Sequence, residues 1–173
     1  MSPIAFIGFG ANLGDRQATF LAVCDALHAH PAVTVKRASS LYETTPVGIS
    51  DNGPDFLNGV IMVETDLEPH RLLEILQDIE QVLGKDPLHR SDRSRVVDLD
   101  LLLYGGLVKH GEKWQIPHPR MHKRAFVLVP LHEVAPWAYV PDVGCTVNEL
   151  LRQIPKEQQD SVRLFASSVW LGG

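Results

Sequence analysis

Apolar and polar positions alternate along several segments of the chain, and a two-residue period is typical of β-strands. Residues 56–65 (FLNGVIMVET) and 96–104 (VVDLDLLLY) are rich in Val, Leu and Ile, and residues 33–43 alternate more loosely. Residues 4–9 (IAFIGF) indicate a buried first strand that Gly10 ends. The pattern therefore predicts these strands, and SVRLFA at 161–166 indicates a further edge strand.

Helical periods follow two of these strands. The segment at 10–31 offers Asn12 or Asp15 as its N-cap, and Pro31 closes it. In the segment at 66–84, Pro69 suits the first turn and Gly84 the position after the last turn. Its apolar stripe consists of Leu72, Leu76, Ile79 and Leu83. Shorter helices are expected after the Pro-flanked turn at 116–119 and at 146–154.

The order of these elements predicts the fold class. Strand, helix, strand, strand, helix, strand is the order of ferredoxin-like α+β proteins. We therefore expect a mostly antiparallel sheet with helices packed on it in a three-layer α/β/α arrangement. A short hairpin is expected after residue 106, with KWQI at 113–116 as its return strand. No second domain is indicated, so we expect one domain over residues 1–173.

The strand at 96–104 carries two carboxylates in a segment that otherwise resembles core. Side chains two residues apart point to the same face of a strand, so Asp98 and Asp100 share one face. The residues expected on the opposite, core face are Val97, Leu99, Leu101 and Leu103. Two like charges in such proximity require an offset, which a metal ion, neighbouring cations such as Arg95, or water at an exposed sheet face can supply.

Composition narrows the class of protein. The chain has 173 residues, of which 45% are apolar, and a formal net charge of −5. It can therefore bury a full core, and a broad basic surface for nucleic acid is not expected. The first residues lack the pattern of a signal peptide or a membrane span. Since Cys24 and Cys145 show no metal-like or redox spacing, we expect a cytoplasmic protein without nucleic-acid or membrane partners.

Two further groups of residues have binding chemistry. Arginine forks match phosphate oxygens, and the cationic group consists of Lys85, Arg90, Arg93, Arg95, His118, Arg120 and Arg124. An aromatic and amide group, Phe56, Asn58 and Phe126, could hold a flat heterocycle. The Gly- and Pro-containing loops at 45–55 and 84–95 could serve as lids. Solvated surface charges, core aromatics and ordinary loops are the alternatives.

Several segments together resemble the 6-hydroxymethyl-7,8-dihydropterin pyrophosphokinase family of folate biosynthesis. The matching segments are IGFGANLGDR, YETTPVG with PDFLNGVIMVET, IEQVLGK, VVDLDLLLYG and IPHPRMHKRAFVLVPL. They occur in the family's order and cover most of residues 4–142. The resemblance implies a ferredoxin-like fold and an ATP-dependent enzyme that transfers the terminal pyrophosphate of ATP to the hydroxymethyl group of the pterin and releases AMP.

The resemblance also implies roles for individual residues. Asp98 and Asp100 would ligate two Mg²⁺ ions that bridge the triphosphate. The residues expected to be catalytic are Arg95, Asp98, Asp100, His118 and Arg124. ATP would be bound by Gln77, Glu80, Lys85, Arg95, His118 and Arg124. The pterin would be bound by Thr44, Pro46, Val47, Phe56, Asn58 and Phe126. ATP and the pterin are small molecules, and we expect the enzyme to be a monomer.

One segment departs from the family pattern. The family loop before the two aspartates usually carries arginines near its start and a Trp that helps to seal the pterin pocket. In GKDPLHRSDRSR, Pro87 occupies a basic position and Asp92 the Trp position, whereas Arg95 is retained. Two alternatives therefore remain beside an active pterin pyrophosphokinase. One is a divergent paralogue that binds nucleotide or pterin with weak or no activity, and the other is a kinase acting on another small alcohol.

Overall fold

The computed structural model describes residues 2–45, 55–84, 97–170 and 172. The strands of the main sheet are β1 (Ile4–Ala11), β2 (Val33–Ala38), β3 (Leu41–Thr44), β4 (Phe56–Thr65), β5 (Asp98–Tyr104) and β10 (Arg163–Ala166). Two small hairpins are formed by β6 (Lys109–His110) with β7 (Gln115–Ile116), and by β8 (Tyr139–Val140) with β9 (Cys145–Thr146). The helices are α1 (Arg16–Ala29), α2 (Pro69–Leu83), α3 (Ala125–Val134), α4 (Val147–Gln153) and α5 (Lys156–Asp160), with a short 3-10 helix at Met121–Lys123.

The main sheet has six strands, all paired in antiparallel fashion, in the order β10-β3-β4-β1-β5. Strand β2 also pairs with β4, further along the same side as β3. Strand β1 is therefore central, between β4 and β5. This is the antiparallel α+β arrangement that the order of elements predicts, and the edge strand expected near the end of the sequence is β10.

Each face of the sheet is covered by helices. On the first face, α1 and α2 bury a core that contains Ile7, Phe20, Leu57, Leu76 and Leu99. On the second face, α3 and α4 bury a separate core around Phe6, Val60, Leu102, Leu128 and Leu150. The two cores take alternate residues from the same strands, as a period of two requires.

The helix boundaries follow the predicted signals closely. Asp15 is the N-cap of α1, and its side chain accepts a hydrogen bond of 3.0 Å from the N–H of Ala18. Gly84 ends α2 as its C-cap at φ −91°, so it does not supply the left-handed residue expected after the last turn. The glycine is required for space instead, because a β-carbon at residue 84 would stand 2.4 Å from the carbonyl oxygen of Glu80.

The segment predicted as a single strand at 33–43 is divided into β2 and β3 at Ser39 and Ser40. The N–H of Ser39 donates to the carbonyl oxygen of Val60 at 2.8 Å, and the Ser39 hydroxyl accepts from the N–H of Val60 at 2.8 Å. The serine thus replaces part of the regular ladder while the chain shifts along β4. The Ser40 side chain and N–H are bound by the Glu133 carboxylate of α3.

Strand β5 contains an irregularity that changes one prediction. Pairing with β1 shifts between Phe6 and Ile7, so that Phe6 opposes Leu103 whereas Ile7 opposes Leu101. The extra residue, Leu102, reverses the alternation beyond it. Leu103 therefore lies in the core of the second face, and the expectation that it shares a face with Leu99 and Leu101 is wrong.

The remaining predicted elements are present at or near their expected positions. Strand β4 has the predicted bounds, the hairpin return lies at β7, and α4 begins at a capping box formed by Thr146 and Glu149. The β8–β9 hairpin and α5 were not predicted. Within the described ranges, no helix is both long enough and apolar enough to cross a membrane.

Candidate active site

The second face of the sheet carries polar groups and glycines in matched positions on β4, β1 and β5. Gly10 of β1 pairs with Asn58 on one side and with Asp98 on the other. The neighbouring row contains Gly8 paired with Asp100. Both aspartates are exposed, whereas the intervening Leu99 is buried on the first face. The predicted pairing of the two carboxylates on one face is thus the arrangement in the structure.

Gly10 leaves the centre of this face without a side chain, whereas the side chain of Leu102 lies over Gly8, 3.3 Å from the position of an added β-carbon. A β-carbon added to Gly10 would meet Asn58 Oδ1 at 3.7 Å and no other described atom within 4 Å outside its chain neighbours. At Gly59, by contrast, an added β-carbon would stand 3.0 Å from the Phe20 ring in the first core. Neighbouring strands lie about 4.8 Å apart, so the backbones at Asn58 and Asp98 are separated by roughly 10 Å across a floor of bare backbone. A flat molecule could lie on that floor.

On the β4 side, an amide is held in a fixed orientation. Asn58 is only 5% exposed, and its Nδ2 donates to Thr44 Oγ1 at 2.8 Å. Thr44 pairs with Phe56 across the β3–β4 ladder, and Phe56 is half-buried. Three of the predicted pterin residues, Thr44, Phe56 and Asn58, are therefore neighbours on the same face.

On the β5 side, Asp100 and two arginines lie near His118. The N–H of His118 donates to the carbonyl oxygen of Leu102 at 2.9 Å, which fixes His118 beside β5. Its Nδ1 accepts from the N–H of Arg120 at 3.2 Å. Burial lowers the pKa of His118; Asp100 opposes this effect, and Arg124 and Arg120 add to it. The neutral imidazole is therefore favoured in the absence of a further anion.

Arg124 and Phe126 lie where the 3-10 helix meets α3. Arg124 is the N-cap of α3, and its guanidinium carbon lies 5.5 Å from the centre of the Phe126 ring. Phe126 is 37% exposed, which is uncommon for so large an apolar side chain. Among the described rings, Phe56 and Phe126 make no mutual contact. The two aromatic side chains predicted to sandwich a ligand are thus not packed against each other.

Helix α2 supports the strand that carries the aspartates. Glu80 Oε2 accepts a hydrogen bond of 2.8 Å from the N–H of Leu99, the residue between Asp98 and Asp100. β5 is the end strand in the order of the sheet, so this carboxylate satisfies a donor at the sheet edge. Gln77, one turn earlier on the same helix, is exposed. Glu80 therefore contacts the aspartate strand itself, a contact that the sequence did not indicate.

The carboxylate pair suits a magnesium ion that is shared with a substrate. Mg²⁺ prefers oxygen ligands and usually retains water or takes substrate phosphate oxygens in its other positions. Asp98 and Asp100 supply two exposed carboxylates on one face. In the described part of the chain, no group of three or more His, Cys, Asp or Glu side chains could hold a metal by itself. The donors present thus fit an ion completed by phosphate and water.

Some predicted site residues lie outside the described residues. They are Pro46, Val47, Lys85 and Arg95. The same holds for Arg90, Arg93 and most of the two loops predicted as lids. Sequence reasoning missed Gly10 as the floor of the candidate site. The signal for it was available, because glycine inside a strand pattern often marks a close approach of another group.

Comparison with known proteins shows which family the sequence matches. The family model of 7,8-dihydro-6-hydroxymethylpterin-pyrophosphokinase (HPPK) matches residues 6–136. The 2-amino-4-hydroxy-6-hydroxymethyldihydropteridine pyrophosphokinase of Bacillus subtilis is 44% identical over 134 residues, which are 78% of this chain and 79% of that protein. The protein of the same name from Methylorubrum extorquens is 39% identical over 150 residues, covering 87% of this chain and 92% of that protein.

Solved structures share the fold at lower identity. Wild-type Plasmodium falciparum HPPK-DHPS has a TM-score of 0.69 and 14% identity, covering 88% of this chain and 45% of that chain. An HPPK-DHPS crystallised in complex with substrates has a TM-score of 0.67 and 14% identity, and this chain spans only 43% of its length. The fold is therefore the ferredoxin-like fold of these proteins. By the extent of the family match and the identity to its relatives, the chain belongs to the 7,8-dihydro-6-hydroxymethylpterin-pyrophosphokinase family.

Proposed function

We propose that the chain transfers pyrophosphate from ATP to the hydroxymethyl group of 6-hydroxymethyl-7,8-dihydropterin in folate biosynthesis. The observation that carries the proposal is the open row Asn58–Gly10–Asp98, which joins a fixed amide to a carboxylate pair across a bare floor. Membership of the pyrophosphokinase family and the names of the curated relatives support the same activity. In this reaction the hydroxymethyl oxygen forms a bond to the β-phosphorus of ATP. The bond from that phosphorus to the oxygen bridging the α-phosphate breaks, AMP leaves, and the hydroxyl proton is released.

The phosphate side of the site is assigned to β5 and the residues beside it. Asp98 and Asp100 would hold magnesium, with two ions proposed, and magnesium supplies charge neutralisation and orientation of the phosphates when bound. His118 and Arg124 are assigned to the phosphate oxygens. A triphosphate would bring negative charge to His118, and this favours its protonated form and gives the imidazole a second donor. Lys85 and Arg95 complete the assignment from the family pattern.

The pterin side is assigned to β3, β4 and the start of α3. The Thr44–Asn58 hydrogen bond leaves Asn58 Oδ1 directed along the floor near Gly10, where it can accept from a donor on the polar edge of a heterocycle. Phe56 and Phe126 would stack on the faces of the ring system. Pro46 and Val47 belong to the same pocket by family position.

The role of α2 is proposed in two parts. Gln77 is exposed and is assigned to the nucleoside by family position. Glu80 is also assigned there, but its hydrogen bond to the N–H of Leu99 supports a second task, which is to hold the strand between the two aspartates. All of these residues belong to one chain, so we propose that the enzyme is a monomer. Its substrates are small molecules, and since ATP is one of them, we propose that the enzyme works in the cytoplasm.

A kinase acting on another small alcohol is the second candidate. The observation that favours it is Asp92 at the position where the family usually has Trp. A charged residue there would form a different pocket wall from an indole. The acceptor alcohol is therefore the part of the proposal that needs the most direct test.

The test is an assay for AMP in the presence of ATP, Mg²⁺ and 6-hydroxymethyl-7,8-dihydropterin. AMP and the pterin pyrophosphate are expected in equal amounts, and chelation of magnesium should stop both. ATP with Mg²⁺ but no acceptor is the control for hydrolysis. If ATP binds but the pterin yields no AMP, whereas another primary alcohol does, the pterin assignment is wrong. If no acceptor yields AMP, the binding-only paralogue replaces the enzyme.

A further inference from the structure

An arginine at the start of α1 contacts both ends of the connection between β3 and β4. Arg16 Nη2 lies 2.8 Å from Glu43 Oε2, and Glu43 belongs to β3. Arg16 Nη1 donates to the carbonyl oxygen of Asp55 at 2.7 Å, and Asp55 directly precedes β4. The two nitrogens of one planar guanidinium thus hold the two strands at the point where the connection leaves them.

A second arginine reaches the same two ends from the far end of the sequence. Arg163 of β10 donates to Asp55 Oδ2 at 3.1 Å, and its Nη2 also lies 3.5 Å from Thr45 Oγ1. Thr45 directly follows β3. Asp55 is therefore bound twice, through its backbone carbonyl by Arg16 and through its side chain by Arg163. We call Arg16 and Arg163 the arginine clamp.

Strand β10 also supports Arg16 directly. The guanidinium carbon of Arg16 lies 5.2 Å from the centre of the Phe165 ring, a cation–π distance. The pairing of β10 with β3 is irregular between Leu164 and Ala166. The contact of Phe165 with Arg16 and the bond of Arg163 to Asp55 nevertheless bring both side chains to the start of α1. The intervening Leu164 is 61% exposed.

The ion pair between Arg16 and Glu43 is more shielded from solvent than an ordinary surface ion pair. The side chains of Arg16 and Glu43 are 19% and 26% exposed, whereas those of Arg71 and Glu74, which pair within α2, are 58% and 54% exposed. Exposed pairs contribute little because water and salt screen them. The shielded fork with its second, carbonyl acceptor is better placed to fix the geometry of the strands it joins.

The clamp acts one residue away from the pterin side of the site. Thr45 is adjacent to Thr44, and Asp55 is adjacent to Phe56. Thr44 and Phe56 pair across the ladder, and Thr44 holds the Asn58 amide. A change in the spacing of the two strand ends would therefore reach the residues assigned to the pterin. No clamp contact involves β5, where Asp98 and Asp100 lie, among the described hydrogen bonds.

We propose that Arg16 and Arg163 are positioning residues for the pterin, and that β10 is the element that completes the pterin side of the site. This proposal rests on the proposed function. The family model covers residues 6–136, so Arg163 and Phe165 extend the site with a segment beyond the family match. Neither arginine is proposed to touch a substrate.

The test measures binding of each substrate separately. The variants Arg16→Ala and Arg163→Gln are first titrated with 6-hydroxymethyl-7,8-dihydropterin, both in the absence and in the presence of Mg²⁺ and a non-hydrolysable ATP analogue. They are then titrated with the ATP analogue alone. The pterin Kd should rise about tenfold in Arg16→Ala and less in Arg163→Gln, because a charge-assisted bond is lost in each. The Kd of the ATP analogue should stay within about twofold of wild type. Arg16→Lys keeps the charge but not the fork, and should give an intermediate pterin Kd.

Matched controls separate positioning from general loss of stability. Leu164→Ala removes an exposed side chain from the same strand, and Arg71→Ala removes a surface arginine; both should bind both ligands like wild type. Equal weakening of pterin and ATP binding in the clamp variants, or unchanged binding of both, would overturn the positioning proposal. If Arg16→Ala fails to fold, Arg16→Lys and Arg163→Gln decide by the same criterion. Wild type that binds ATP but no pterin overturns the proposed function, and the clamp proposal with it.

Discussion

The two faces of the central strands are built from alternating residues of the same segments, yet they serve opposite purposes. On the first face, Phe9, Leu57 and Leu99 are buried beneath α1 and α2. On the second face, the residues beside them are Gly10, Asn58 and Asp98, which form an open row. The first face would therefore stabilise the fold, and the row Asn58–Gly10–Asp98 of the second face could change its chemistry without loss of that core.

The second face is itself divided along the strands. Towards one end, Phe6, Val60 and Leu102 are buried under α3 and α4. Towards the other end, the described positions on β4, β1 and β5 are Asn58, Gly10 and Asp98, with the half-buried Phe56 beyond Asn58. The site thus lies where the apolar alternation on this face stops. The comparison teaches that one strand can contribute to the core and to the candidate site, provided that its residues change from apolar to polar or glycine on only one face.

The largest effect should come from a change to the first face, which is buried beneath α1 and α2. Leu57→Ala should lower the free energy of unfolding by about 2–5 kcal/mol, because Leu57 is fully buried and its removal leaves a cavity. Urea denaturation measures the change. Val82→Ala, at a residue 75% exposed, is the control and should cost less than about 0.5 kcal/mol. A Leu57→Ala protein as stable as wild type would mean that the first face is not the main source of stability.

The next largest effect should come from the two aspartates on the second face, where a substitution should lower turnover. Asp98→Asn and Asp100→Asn should each lower turnover by at least about 100-fold, the scale of lost electrostatic stabilisation of a transition state. The unfolding free energy should change by less than about 1 kcal/mol, because both side chains are exposed.

Steady-state AMP release and urea denaturation are measured on the same preparations. Asp142→Asn, at an exposed carboxylate on the β8–β9 hairpin, is the matched control and should behave like wild type. Near-wild-type turnover in both Asp98→Asn and Asp100→Asn would remove the metal assignment. A large loss of stability would remove the distinction between the two faces.

Much of this contrast could be predicted from the sequence because it depends on local periodicity. The alternation of residues 56–65 defined β4, and the stripe Leu72, Leu76 and Ile79 defined the buried side of α2. The same period placed Asp98 and Asp100 on one face. It failed at Leu103, because a one-residue irregularity in pairing is a property of two strands and is not visible in either alone.

Features that depend on distant contacts could not be predicted in the same way. Arg163 and Asp55 are 108 residues apart in the sequence, and only the pairing of β10 with β3 brings them together. The division of β2 from β3 depends on Ser39 finding Val60 on β4. The hydrogen bond that the N–H of Leu99 donates to Glu80 likewise requires the packing of α2 against β5. In each case the residue type permits many partners, and the fold selects one.

A smaller effect on the second face should distinguish binding of the pterin from binding of ATP. Asn58→Leu should weaken pterin binding by about 1–3 kcal/mol, the cost of leaving a buried polar edge of the ligand without a partner. Binding of the ATP analogue should be unchanged, because Asn58 lies on the β4 side of the floor. Calorimetric titration of each ligand gives both values. Thr44→Val, which removes the hydroxyl that accepts from Asn58 Nδ2, should have a weaker effect of the same kind. Equal loss of binding of both ligands in Asn58→Leu would contradict the assignment.

The smallest effect concerns how well the core of the first face excludes solvent. Cys24 is fully buried in the first core, and burial raises the pKa of its thiol to about 12. At pH 8 only about one thiol in ten thousand would then be the reactive thiolate. Cys145 is only partly buried, so a colorimetric disulfide reagent should titrate one thiol per chain at pH 8 in the native protein and two in urea. Cys145→Ser should leave no reactive thiol before unfolding, and rapid modification of Cys24 in that native variant would show that the first core opens readily.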